Sequence, residues 1–129
     1  MGIYRKYFFV LIPALLFPFF AGAQVSQIVF TTEPQTIKPN ELSGPLTIQT
    51  QDSSGSSYKT PETIDLEFMS TSLTGEFLGS TGNPATKTMS TNTSNRTFYY
   101  RDSGLGIFTL TVNAKGRTSG TTWSAGQTI

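Results

Sequence analysis

Asp65 and Glu67 are the only close pair of carboxylates within a strand-like segment of this sequence. Two carboxyl groups flanking a glycosidic bond are what sugar hydrolysis requires, one as acid and the other as base or nucleophile. Here the pair alternates with Ile64, Leu66 and Phe68. In a pleated strand that alternation sends the apolar residues to the core and both carboxylates to water, where neither is expected to have a perturbed pKa. The chain has no histidine and no cysteine. This removes the commonest general base, the commonest zinc ligand and every Ser-His or Cys-His nucleophile arrangement. No catalytic residue, cofactor site or metal site is therefore expected, and the chain is read as a non-enzyme. The acids Asp52, Asp65, Glu67 and Asp102 are spread along the sequence, and the turn at Asp52 lacks the alternating ligands of a dense calcium loop.

Aromatic side chains offer a different chemistry, since a ring exposed on a sheet or loop can stack on a sugar. Tyr58, Tyr99 and Trp123 are the candidates for such ligand contact. Tyr99 is out of phase with Phe98 and Tyr100, so one of the two sets must face away from the core. On this basis a secreted carbohydrate-binding module is the alternative reading, with polysaccharide as its partner. Two sequons, Asn92-Thr93-Ser94 and Asn95-Arg96-Thr97, are the chance matches expected of a Thr-rich chain.

Residues 1–23 read as a secretory signal peptide. Arg5 and Lys6 precede the apolar run 7–20, and Ala21-Gly22-Ala23 gives the small-x-small cleavage signature, so the mature chain is expected to start at Gln24. The run is shorter than the roughly 20 apolar residues of a spanning helix and contains Pro13 and Pro18. It is read as an address, with no membrane attachment after cleavage and a secreted or cell-surface destination. Loss of Arg5 and Lys6 takes Lys plus Arg from 9 to 7 against 8 acids, moving the net charge from +1 to −1. The remaining basic residues are scattered, which argues against nucleic acid as a partner.

Positioning these residues falls to residues 24–129, a length that suits one small domain. The composition is rich in Thr and Ser, apolar residues never recur at helical spacing over three turns, and an all-β domain is expected. The first strand is read over residues 25–32, stopped at Glu33-Pro34, with an interrupted continuation through Ile37 that switches sheets. Leu46, Ile48 and Thr50 mark the second strand, and Ile64, Leu66 and Phe68 the third. Weaker strands are read at 76–78 and 85–89, and stronger ones at 96–100, 106–114 and 121–129. Gly104 and Gly106 between the last two central segments allow positive φ, and the chain is expected to cross between sheets there. About seven short strands with regular turn signals fit an immunoglobulin-like antiparallel sandwich without a disulfide.

The run from Phe98 to Val112, Phe-Tyr-Tyr-Arg-Asp-Ser-Gly-Leu-Gly-Ile-Phe-Thr-Leu-Thr-Val, resembles the end of bacterial Ig-like domains of the invasin-intimin type found in surface and surface-layer proteins. The segments 27–36 and 46–55 resemble that family's first strand and its second strand and turn. The resemblance implies an exported, non-catalytic module that spaces, displays or adheres, with other surface modules or cell-envelope components as partners. Two departures stand out. Residue 108 after the glycine corner is Phe, so the hydrogen bond of a tyrosine corner is expected to be missing, and Trp123 lies in the last strand, where it is expected to be partly exposed.

Overall fold

The computed structural model describes residues 24–129, so the expected signal peptide and its cleavage residues Ala21 and Ala23 lie outside the described residues, while Gln24 is exposed at the start of the described chain. Eight strands follow in order: β1 (Gln27–Phe30), β2 (Leu46–Gln51), β3 (Ile64–Ser70), β4 (Glu76–Leu78), β5 (Thr88–Met89), β6 (Asn95–Arg101), β7 (Thr109–Gly116) and β8 (Thr122–Thr128). They form two four-stranded sheets, β1-β2-β6-β4 and β5-β3-β7-β8, with every pairing antiparallel. This is the expected immunoglobulin-like antiparallel sandwich, and each of the eight strands overlaps a segment read as a strand from the sequence.

Alternation decides which side chains meet between the sheets. Ile48 on β2, Ile64 on β3, Phe98 and Tyr100 on β6, and Leu110 and Val112 on β7 are completely buried. Their neighbours Thr47, Gln49, Asp65, Tyr99 and Thr111 face the other way and retain exposure. Four phenylalanines tie the layers together: Phe98 has its ring centroid 4.8 Å from Phe68, 5.9 Å from Phe77 and 6.1 Å from Phe30. Rings at these tilts and separations add to the area they bury. Gln127, whose Cα partner on β7 is Leu110, is an exception. Both polar atoms of its side chain are buried without a partner among the described residues, which carries a desolvation cost of about 1–3 kcal/mol.

The weaker strand readings are corrected at their edges. The first strand stops at Phe30 and does not resume through Ile37. Instead, the Gln35 side-chain amide takes the place of a ladder, accepting from Gly44 N–H at 2.8 Å and donating to the Pro45 carbonyl at 3.0 Å, while Pro34 and Pro39 have no N–H to give. Of 85–89 only Thr88 and Met89 pair with β3, and the strand expected from Gly106 begins at Thr109. The crossing at the glycine corner is present, but only Gly106 has positive φ, at 143°.

The loops gather at two poles. Residues 24–26, the β2–β3 connection and the β7–β8 turn share one, where Gln24 and Val25 lie beside Thr121 and Trp123. The β1–β2, β3–β4 and β6–β7 connections share the other, fastened by Asn40 N–H to the Asp102 carbonyl at 2.7 Å and by paired bonds between Phe108 and Ile129. The described chain thus enters at one pole and ends at the other.

Candidate functional site

The second pole holds a groove of about 450 Å³, lined by Pro34, Ile37, Leu105, Ile107 and Phe108, with Tyr100 and Asp102 also contributing to its walls. Leu105 and Ile107 at its rim are 83% and 84% exposed. Tyr100 and Asp102 lie two apart where β6 ends, so they share the inward face of the strand, and Asp102 is a buried carboxylate.

A buried carboxylate must find donors, and this one has them. Asp102 Oδ2 accepts from the Tyr100 hydroxyl at 2.5 Å, and Oδ1 accepts from Thr74 Oγ1–H at 2.5 Å and Gly104 N–H at 2.8 Å. Ser70 Oγ lies 2.8 Å from the Tyr100 hydroxyl, and Tyr100 N–H donates to Ser43 Oγ at 2.9 Å. The network therefore fastens the β1–β2, β3–β4 and β6–β7 connections to one another. Burial works to raise the Asp102 pKa, but the hydrogen bonds from Thr74, Tyr100, Ser72 and Gly104 outweigh it and hold the carboxyl well below its ordinary range. Burial, reinforced by the adjoining carboxylate, pushes the Tyr100 hydroxyl up to about 12. A general acid or base works best with a pKa near the operating pH. These two groups are driven apart instead, one to a weak base and the other to a weak acid.

Phe108 makes no tyrosine-corner hydrogen bond, as expected, and a different bond fastens this corner. Phe108 indeed has no hydroxyl, but Tyr100 on the preceding strand supplies one. Its fit depends on Gly75, where a Cβ would run into the Tyr100 hydroxyl and ring. Gly75→Ala is therefore expected to lower stability by about 1–3 kcal/mol, the range for an overpacked core. Urea unfolding at neutral pH measures this, and a change under about 0.5 kcal/mol would reject the close contact.

Asp65 and Glu67 are exposed on the outward face of β3, as the alternation requires. Asp65 departs from expectation in one respect: a 2.6 Å ion pair with Arg117 lowers its pKa. No group of three or more metal-ligating side chains occurs among the described residues. The Asp52 carboxylate is engaged in its own turn, accepting from Ser54 N–H at 2.9 Å and Ser56 N–H at 3.0 Å.

The three candidate aromatics occupy three different places. Tyr58 lies in the β2–β3 connection, where its N–H donates to the Thr50 carbonyl and its carbonyl accepts from Thr50 Oγ1–H. Tyr99 is on the outward face of β6, half-buried. Trp123 is partly buried against the core at the first pole, which matches its expected partial exposure. The ring pairs among the described residues belong to Phe30, Phe68, Phe77, Phe98 and Tyr100, so the three candidates do not stack on one another. Sequence reading missed the Tyr100–Asp102 pair. The signal was there, because continuing the alternation of Phe98 and Tyr100 puts a carboxylate inside.

Neither protein-family models nor curated proteins match the chain. Among solved structures it is similar to a conjugative transposon lipoprotein from Bacteroides eggerthii, with a TM-score of 0.55 and 8% identity over 81% of this chain and 97% of the other. It is also similar to domains 4 and 5 of the S-layer protein SbsC, with a TM-score of 0.49 and 12% identity over 81% of this chain and 52% of the other. The first likeness is one of fold.

Proposed function

We propose that the chain is an exported, non-catalytic Ig-like module of the bacterial cell surface that spaces, displays or adheres. The observation that carries this reading is the use made of the buried ionisable pair. Tyr100 and Asp102 hold three loop connections together, and their pKa values move away from neutrality, which suits a fastening and not a proton relay. The resemblance of residues 98–112 to bacterial Ig-like surface domains supports the same reading. So does the shared fold with a protein whose name is that of a lipoprotein, which makes attachment to the cell envelope part of the proposal.

Expression of the full chain with a C-terminal epitope in a bacterial host tests it. The epitope is expected outside the inner membrane, with an N-terminus at Gln24 by mass spectrometry and loss of signal when protease is added to intact or outer-membrane-permeabilised cells. A cytoplasmic product that retains Met1 to Ala23 would overturn the proposal.

A further inference from the structure

The outward face of β1, β2 and β6 carries a continuous chain of side-chain amides. Gln27 Nε2–H donates to Gln51 Oε1 at 2.8 Å, Gln51 Nε2–H to Gln49 Oε1 at 3.0 Å, and Gln49 Nε2–H to Asn95 Oδ1 at 3.0 Å. One row along, Thr47 and Thr97 share a hydrogen bond of 2.7 Å across the same pair of strands. Two residues further, about 7 Å on, Tyr99 stands on the same face of β6. Among the described residues of these three strands, no charged side chain stands on this face between Gln27 and Tyr99. Arg101 beyond its edge is paired with Glu76 at 3.1 Å. The opposite sheet differs in kind, presenting Asp65, Glu67, Lys115 and Arg117 outward.

Each primary amide has two N–H groups and two carbonyl lone pairs, so the mutual bonds pin the four amides and still leave every one of them valences to offer. Among the described residues nothing pairs with Asn95 Nδ2 or Gln27 Oε1 at the two ends of the chain. An apolar partner would strand those valences. A charged partner would find no counter-charge. A ligand rich in hydroxyls, each both donor and acceptor, and with an apolar ring face for Tyr99, satisfies both requirements. Because the amides are already fixed by one another, little side-chain entropy is lost on contact.

We propose that a neutral polysaccharide docks across the outward face of the first sheet, held by Gln49, Gln51 and Asn95 and stacked on Tyr99. This goes beyond the surface-module reading and does not depend on it, since binding is measured on purified protein and export in cells.

Affinity electrophoresis of the purified protein in gels containing galactomannan, xyloglucan, soluble starch or dextran, with polygalacturonate as a charged comparison, is the test. Retardation by at least one neutral polymer is expected, unchanged in high salt. Tyr99→Ala and Gln49→Lys should each weaken it roughly tenfold, with Glu67→Gln on the other sheet leaving it intact. Gln49→Lys stays outside the core, so it reads binding even where Tyr99→Ala lowers stability, and a melting curve on each variant separates the two effects. Three results would overturn the proposal: no neutral polymer retards the wild type, retardation occurs only with polygalacturonate and vanishes with salt, or both face variants bind as the wild type does. Concentration-dependent NMR shifts of the Gln49, Gln51 and Asn95 side-chain amides without glycan would reassign the face to self-association.

Discussion

Leu110→Asp is expected to leave no folded domain. Leu110 is completely buried on β7, a central strand of its sheet, with Ser70 on β3 and Gln127 on β8 as its flanking partners. Its surroundings are the apolar core. An unpaired carboxylate at this position costs several kcal/mol, a large part of the roughly 5–15 kcal/mol that stabilises a typical domain. Leu110→Met, close in volume, should cost less than about 1.5 kcal/mol. Near-ultraviolet circular dichroism and thermal melting distinguish the pair. A cooperative melt for Leu110→Asp close to that of the wild type would remove Leu110 from the core.

The second large effect concerns the fastening at the second pole. Asp102→Ala takes the charged acceptor from Tyr100, Thr74 and Gly104 at once and is expected to cost about 3–5 kcal/mol, since several neutral donors are left without a partner together. Tyr100→Phe leaves the carboxylate two of its three closest donors and should cost only about 1–2 kcal/mol. The pair also sets a pH window. Asp102 has a folded-state pKa below its unfolded value, so its stabilisation is complete above about pH 4 and drains away as pH falls through the folded value. Tyr100 has a folded-state pKa raised from 10.0 to about 12, so its stabilisation is complete below about pH 10 and is lost between there and about 12. The melting temperature should thus decline on both flanks of a neutral plateau. In Tyr100→Phe the alkaline decline should shrink, and in Asp102→Asn the acid one. A wild-type profile that the two variants reproduce on both flanks would dissociate the pair from pH stability.

The central strands were legible because alternation and burial coincide in them. In β3, for instance, Ile64 and Leu66 are buried and Asp65 and Glu67 exposed. The edges were less so. Residues 33–37 carry the β-like Thr36 and Ile37, yet the Gln35 side chain bonds the backbone at Gly44 and Pro45, a contact nine to ten residues away that no local pattern announces. The same limit applies to the sites. Alternation alone marks Gln49 and Gln51 as outward and Asp102 as inward. That Gln49 meets Asn95, and that Asp102 meets Thr74, follows from strand register and loop closure over 46 and 28 residues.

Gln24 lies beside the start of β8 and Ile129 at its end, on opposite poles. Tension applied through the two ends of the described chain would therefore run along the strands. It would load the β1–β2 and β7–β8 ladders in shear, so that several hydrogen bonds must fail together instead of unzipping one at a time. In a flowing environment such a domain would behave as a stiff link, able to transmit pull without lengthening until one of its terminal strands gives way.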